Sequence, residues 1–294
     1  MSRPGDLLPR VGVAVVGIPL VLLALLRGGW LLGAVAAAAA ALGTREFYRL
    51  AQLRGEQPFS LLGAGAGAAV VLLAVPSGTW STLAPGALGV LLALAAVTLA
   101  LSPGSRWPGG SPLSALASTL AGVVYVALPL AFLPLLRQAG EGAAWGAGAR
   151  PGAVAAFVLL PLLVTWAGDT AAYLVGTAVG RTRLAPTISP GKSLEGALGG
   201  MAGSVGAGVL VSWLWLSHLV EAPVTPATAA WVGALLGVAA QVGDLAESLL
   251  KREAGVKDSG RLLPGHGGLL DRVDSLLWTL PLAWWLLALV RGPA

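Results

Sequence analysis

Cysteine is absent from this chain. That removes disulfides, thiolate metal sites and cysteine nucleophiles at once. Histidine is scarce, with only His218 and His266, and charge is thin: 11% of residues are charged, against about 25% in an ordinary soluble domain. A water-soluble fold is therefore excluded. No G-x-x-x-x-G-K-[ST] occurs, which argues against a P-loop NTPase. No alternating barrel pattern, low-complexity tail or long linker is present. The first apolar run, 11–26, lacks an A-x-A exit and another run follows almost at once, so a cleaved signal peptide is not expected.

What is abundant is apolar sequence. The chain is 56% hydrophobic with a mean hydropathy of +0.82. Nine apolar segments are legible, at 11–26, 29–43, 61–75, 86–101, 113–136, 152–179, 194–219, 225–250 and 274–290. Lipid cannot satisfy an open backbone, so each segment is expected to be helical. About 20 residues are needed to cross the hydrocarbon, so the first four are short, and the first two form either a tight pair or one broken element. The expected fold class is an all-α integral membrane protein, a polytopic bundle of about nine transmembrane helices with a cytoplasm-facing polar cleft. It is expected to form a single integral membrane domain over 1–294, with less regular N-terminal helices at 1–136 and a catalytic C-terminal set at 152–294.

The connecting segments alternate in charge. Arg3, Arg10, Arg45, Arg49, Arg54, Arg106, Arg181, Arg183, Lys192, Lys251, Arg252, Lys257, Arg261 and Arg272 fall on one side, and Arg27, Arg137, Arg150 and Arg291 on the other. The positive-inside rule then puts the N-terminus and the 251–272 loop in the cytoplasm. Trp30, Trp80, Trp107, Trp145, Trp231 and Trp278 lie near segment ends, where amphipathic rings prefer the interface. Arginine outnumbers lysine 15 to 3, which base composition of the genome explains without a functional cause.

Charge concentrates between Asp244 and Asp274, where about a tenth of the chain holds more than a third of its charged residues. Charge at a membrane boundary is costly unless paired or ion-bound, so this stretch reads as a functional site. Asp244, Glu247, Ser248 and Lys251 recur at i, i+3, i+4 and i+7, one face of a helix. After Lys251-Arg252 and Lys257-Asp258 comes Pro264-Gly265-His266-Gly267-Gly268. Glycines there permit close backbone approach, and such turns offer amide N–H groups to phosphate. Asp271 and Asp274 follow on one face of the next helix start. His218 is expected to be structural and Glu46 an interfacial residue, leaving His266 as the histidine of interest, a phosphate or metal–water contact.

A second cluster lies upstream. Asp169 falls deep in the sixth segment, beside the four-residue repeat Gly168, Ala172, Gly176, Gly180 that marks a close-packing helix face. Next comes Ser189-Pro190-Gly191-Lys192-Ser193-Leu194-Glu195. Ser193 can cap a helix and Glu195 belongs in a first turn, whereas Lys192 beside a helix N-terminus suits an anion. Carboxylates without thiolates favour a hard cation such as Mg²⁺. Carboxylates beside five basic residues are what phosphoryl or nucleotidyl transfer requires. A proton- or ion-coupled transporter would also carry intramembrane carboxylates, but has no need of so many cations around H-G-G. A CDP-alcohol phosphotransferase or a polyprenol kinase would share metal-binding aspartates, but the D-G-x2-A-R type pattern is missing.

The run Ser248-x-Leu-Lys251-Arg252-x4-Lys257-Asp258-x5-Pro264-Gly265-His266-Gly267-Gly268-x2-Asp271-Arg272-x-Asp274 resembles the signature of the phosphatidate cytidylyltransferase (CDP-diacylglycerol synthase) family. Ser189-Pro190-x-Lys192-Ser193-x-Glu195-Gly196 and Asp169-x3-Tyr173-x2-Gly176 resemble it too. The family often has lysine where Gly191 stands, threonine for Ser193 and tryptophan for Leu194. The resemblance implies that CTP and phosphatidate give CDP-diacylglycerol and pyrophosphate. It implies Mg²⁺, admits a second, monovalent cation such as K⁺, and admits a homodimer. On this reading Asp244 and Asp271 bind metal, with Asp274 and Asp169 behind them or as alternate ligands. Lys251 and His266 stand with the two aspartates as catalytic groups. Lys192, Ser189, Ser193, Ser248, Arg252, Lys257, Gly267, Gly268 and Arg272 contact substrate. The expected setting is the inner (plasma) membrane with the site facing the cytoplasm, a lipid bilayer as partner and no nucleic acid.

Overall fold

The computed structural model describes residues 7–102, 111–141, 151–216, 225–262, 265 and 267–291. Arg3, Arg106, Trp107, Trp145, Arg150, His218, Pro264 and His266 lie outside the described residues. Among the described residues each of the nine apolar segments is largely helical: α1 (Leu7–Arg27), α2 (Gly29–Leu53), α3 (Ser60–Ser77), α4 (Trp80–Ala100), α5 (Pro112–Gly122) with its continuations α6 (Leu128–Leu130) and α7 (Phe132–Glu141), α8 (Pro151–Val179), α9 (Leu194–Val211), α10 (Pro226–Glu253), and α11 (Leu270–Val273) with α12 (Leu276–Arg291). Seven stretches of described helix, the first being α3, are long and apolar enough to cross a membrane. This is an all-α polytopic integral membrane protein. The sequence did not announce a short antiparallel hairpin, β1 (Arg183–Ala185) and β2 (Ser189–Ser193).

One break falls where it was expected, and one boundary does not. The pair 11–26 and 29–43 breaks at Gly28 and Gly29, both at positive φ (67° and 52°), a conformation that glycine adopts without steric cost. The second member then does not stop at residue 43. It stays helical through Arg45, Glu46 and Arg49 to Leu53, because nothing in that stretch breaks a helix until Gly55 (φ 89°). The expected loop is thus nearly three further turns of helix, at about 3.6 residues per turn. Within 112–141 a π-helical turn, Val123–Ala127, precedes Pro129, whose missing N–H cannot continue the ladder.

The chain divides into two compact units. One comprises Met1–Leu135 with Leu250–Val273, so the charged loop folds with the N-terminal helices. Its core includes Tyr48, fully buried, whose hydroxyl donates to the Thr119 carbonyl at 2.6 Å. A Cβ on Gly63 or Gly122 would run into the Tyr48 ring, so these two glycines shape the slot that the ring fills. Trp80, expected as an interfacial anchor, stacks on buried Phe132 at 5.2 Å.

The other unit comprises Leu136–Leu249 with Asp274–Ala294. Here α8 and α9 meet backbone to backbone. A Cβ on Gly196 would lie 2.9 Å from the Ala172 carbonyl and 3.1 Å from Gly176 Cα, and one on Gly200 would lie 3.1 Å from the Gly168 carbonyl. The repeat at Gly168, Ala172 and Gly176 is therefore one half of a small-residue seam, the arrangement that lets helices associate in lipid by close packing. The same device joins α9 to α10, where a Cβ on Gly208 would lie 2.8 Å from the Ala229 carbonyl. Thr165 and Thr279 add a buried hydroxyl contact of 3.3 Å between α8 and α12.

Candidate active site

In the second unit a cavity of about 360 Å³ opens beside the α8–α9 seam. Its small-residue wall is Ala172, Gly176, Gly196 and Ala197, and Asp169, Lys192, Ser193, Gln241 and Asp244 supply its polar groups. The β1–β2 hairpin positions Lys192. Glu195, in the first turn of α9, accepts the Arg181 N–H at 3.0 Å and the Thr182 N–H at 3.2 Å, and Leu194 N–H donates to the Thr182 carbonyl at 2.8 Å. Ser193 is the N-cap, its Oγ accepting the Gly196 N–H at 3.1 Å. Cap and clamp together fix the direction in which the preceding residue, Lys192, projects.

Lys192 Nζ lies 2.6 Å from Asp244 Oδ2, with the two side chains 26% and 36% exposed. Ser248, one turn on along α10, donates to Asp244 Oδ1 at 3.4 Å. Asp169 is exposed on the same cavity wall. Gln241 was not anticipated; its amide holds the Ala197 carbonyl at 3.0 Å and lines the cavity one turn before Asp244. Ser189 sits in β2 opposite Ala185, away from these contacts. Asp274 accepts the next residue's N–H, Ser275, at 2.7 Å. Exposed Tyr173, Leu174, Leu194 and Leu198 give this part of the unit an apolar exterior.

The first unit holds the other cluster. Lys251 Nζ donates to Asp271 Oδ1 at 2.8 Å, with side chains only 13% and 6% exposed. Asp271 Oδ2 takes three more donors: Gly268 N–H at 2.8 Å, Ser259 Oγ at 2.9 Å and Ser259 N–H at 3.0 Å. Gly267, at φ 83°, explains part of the glycine pair, since a Cβ there would lie 2.9 Å from Asp271 Oδ2. The glycine turn was expected to offer its amides to phosphate; the Gly268 N–H is instead turned inward onto Asp271. Arg252 reaches the Val256 carbonyl at 3.2 Å, while Lys257 and Arg272 are exposed. His266 falls outside the described residues.

Sequence reasoning also passed over Glu46 and Ser259. Expected at an interface, Glu46 is 8% exposed and accepts the Leu270 N–H at 2.7 Å and the Ser259 hydroxyl at 3.2 Å. The available signal was its position inside an otherwise basic stretch, Arg45 to Arg54.

The donor chemistry of the cavity fits a hard divalent cation. Asp169 and Asp244 present carboxylate oxygens only. Among the described residues no group of three or more His, Cys, Asp or Glu gathers to hold a metal unaided. That pattern suits Mg²⁺, which keeps several waters and binds through one or two carboxylates plus substrate phosphates. Asp271 Oδ1, by contrast, already accepts from the Lys251 ammonium.

A polar, cation-bearing cavity among apolar, membrane-length helices fits a polytopic membrane enzyme that handles anionic substrates. The cytidylyltransferase family model matches residues 8–290. The chain is 33% identical over 297 residues to a phosphatidate cytidylyltransferase of Synechocystis, covering 96% of both chains. It is 38% identical over 245 residues to that of Brucella suis, covering 81% of this chain and 78% of the relative. A 126-residue match to the Staphylococcus aureus enzyme reaches 44%, over 43% of this chain and 46% of the relative. The chain belongs to the cytidylyltransferase family, and is a membrane-embedded nucleotidyltransferase.

Proposed function

We propose that this protein is a phosphatidate cytidylyltransferase. A phosphate oxygen of phosphatidate attacks the α-phosphorus of CTP in line, the new P–O bond forms as the α–β bridge breaks, and pyrophosphate leaves with the electron pair. The products are CDP-diacylglycerol and pyrophosphate. The observation that carries the reading is the pairing of Lys192 with Asp244 beside Asp169 in one membrane-embedded cavity, in a chain matched across its length by the family.

The nucleophile is already ionised near neutral pH, so positioning and charge neutralisation carry the catalysis. Lys192 neutralises triphosphate charge, moving from Asp244 to phosphate when substrate enters. Asp244 and Asp169 would hold Mg²⁺, which would supply positive charge against the negative charge that develops on phosphate. Ser193 keeps α9 capped and Ser248 orients Asp244. In the other unit, Lys251 and Asp271 form an exchangeable pair, and exposed Lys257 and Arg272, with Arg252, supply further positive charge. The apolar exterior at Tyr173, Leu174, Leu194 and Leu198 suits a substrate whose tails stay in lipid. The charge asymmetry of the loops supports a cytoplasmic site in the inner membrane, reached by CTP from water.

The test is pyrophosphate release by detergent-purified protein. Release should require both CTP and phosphatidate, and CMP should appear in the lipid product. A transporter would release none, and a lipid kinase would leave no CMP in the product. Native mass in detergent reports whether the active form is a homodimer.

A further inference from the structure

Glu46 has no part in the mechanism above, yet it is a buried carboxylate hydrogen-bonded to the loop that carries Asp271. It lies on α2, in the same compact unit as residues 250–273. Its Oε2 accepts from two points of that loop, the Ser259 hydroxyl at 3.2 Å and the Leu270 N–H at 2.7 Å. One turn further along α2, Arg49 reaches the Ser259 carbonyl at 3.5 Å. Positions three apart share a helix face, so one edge of α2 grips Ser259 from both ends of its polar surface.

Ser259 in turn holds Asp271. Its N–H and its hydroxyl both lie within 3.0 Å of Asp271 Oδ2. A hydroxyl has one proton to donate. The Ser259 hydroxyl therefore stands between two carboxylates, Glu46 and Asp271, and serves one at a time. Leu270, whose N–H Glu46 takes, directly precedes Asp271 in α11. Glu46 thus fixes the residue before Asp271 and the residue that donates to it twice.

The loop is shaped to admit this carboxylate. A Cβ on Gly260 would strike Glu46 Oε1, and a Cβ on Gly268 would lie 2.5 Å from Glu46 Oε2. Oε1 is buried and makes no hydrogen bond among the described residues. Burying a carboxylate with one oxygen unsatisfied is costly, and packing alone would be met better by an apolar side chain.

We infer that Glu46 is a positioning residue for Asp271. Through Ser259 and Leu270 it holds Asp271 Oδ2 in its three-donor nest, which leaves Oδ1 aimed at Lys251 and available for exchange. The inference rests on the proposed role of Asp271, and the controls below separate the two.

Glu46→Ala and Glu46→Gln are purified in detergent beside the wild type. The glutamine carbonyl can still accept both hydrogen bonds, so Glu46→Gln should stay within about threefold of wild-type kcat, whereas Glu46→Ala should lose tenfold or more, the scale on which small misplacements act. Glu46→Ala should also raise the Mg²⁺ concentration for half-maximal rate, with KM for CTP little changed. Independently of activity, amide hydrogen exchange should quicken in peptides spanning 257–273 and stay at wild-type levels in α8 and α9. Wild-type kcat, Mg²⁺ midpoint and exchange in Glu46→Ala would overturn the inference. So would a loss of rate matched by an equal loss of folded protein, or faster exchange throughout the chain. A wild type that releases no pyrophosphate with phosphatidate would overturn the proposed function instead, while the exchange result would still decide whether Glu46 holds the loop.

Discussion

Lys192 and Asp244 meet at 2.6 Å, yet both side chains remain partly exposed, at 26% and 36%. An ion pair so open to solvent contributes only about 0–1 kcal/mol to stability. The pair is therefore poorly explained as a structural device and well explained as a site held ready for anionic substrate. Lys192→Met and Asp244→Asn should each cost about 1 kcal/mol or less of stability while lowering turnover by roughly a hundredfold or more, the scale of removing a preorganised electrostatic group. Thermal melting in detergent and the pyrophosphate assay check the two halves. Wild-type turnover in Asp244→Asn at saturating Mg²⁺ would remove Asp244 from the site.

Lys251 and Asp271 behave differently because they are much less exposed, at 13% and 6%. Removing one partner of a buried pair strands the other and costs about 3–5 kcal/mol. Lys251→Met should thus lower the apparent Tm much more than Lys192→Met, besides lowering activity. Equal shifts for the two variants would contradict the burial contrast.

The α8–α9 seam gives a paired test on one helix. In Gly196→Ala the new methyl meets the Ala172 carbonyl at 2.9 Å, and such overpacking costs about 1–3 kcal/mol. In Gly206→Ala the methyl meets nothing within 4 Å, and the better helix former should be neutral or gain up to about 1 kcal/mol. Melting temperatures should move in opposite directions, or only the first should fall.

Gly191 lines the cavity, is exposed and has open space at its Cβ. Gly191→Lys should fold normally and place a second cation beside Lys192. A charge gained near phosphate in water is worth about 1 kcal/mol, so KM for CTP should fall roughly fivefold at low salt and the gain should shrink as salt screens it. An unchanged KM at every salt concentration would show that this turn does not face the nucleotide.

Chelation addresses the cation directly. EDTA should abolish pyrophosphate release, and added Mg²⁺ should restore it with both substrates present. Replacing K⁺ by Na⁺ or choline in the same assay tests a monovalent requirement. Full activity in EDTA would leave the carboxylates of the cavity without their proposed role.

Much of the fold was legible because lipid leaves few choices. Nine apolar runs became helices, and the four-residue repeat from Gly168 became one side of a helix seam. The break between α1 and α2 was legible as a question, and Gly28-Gly29 answered it. The extension of α2 to Leu53 was hidden because hydropathy stops at the first arginine, whereas helicity stops only where a glycine allows the turn. The hairpin around Lys192 was hidden by its brevity, although the Ser193 cap that anchors it could be read directly. At the site, residue types named Asp169, Lys192, Asp244, Lys251 and Asp271, and the structure groups them as Asp169, Lys192 and Asp244 in one unit and Lys251 with Asp271 in the other. Glu46 stayed hidden because its partners, Ser259 and Leu270, are remote in sequence.

Where α8 and α9 touch, main chain forms the side of the cavity at Ala172, Gly176, Gly196 and Ala197. Such a surface has no rotamers to adjust and no larger neighbour to trim. On the proposed reading, selectivity for one lipid over another would be tuned from lining groups that can be exchanged without parting the helices, such as Tyr173, Thr177 and Leu184. An engineer wishing to alter which lipids are accepted should begin with those three and leave the glycines alone.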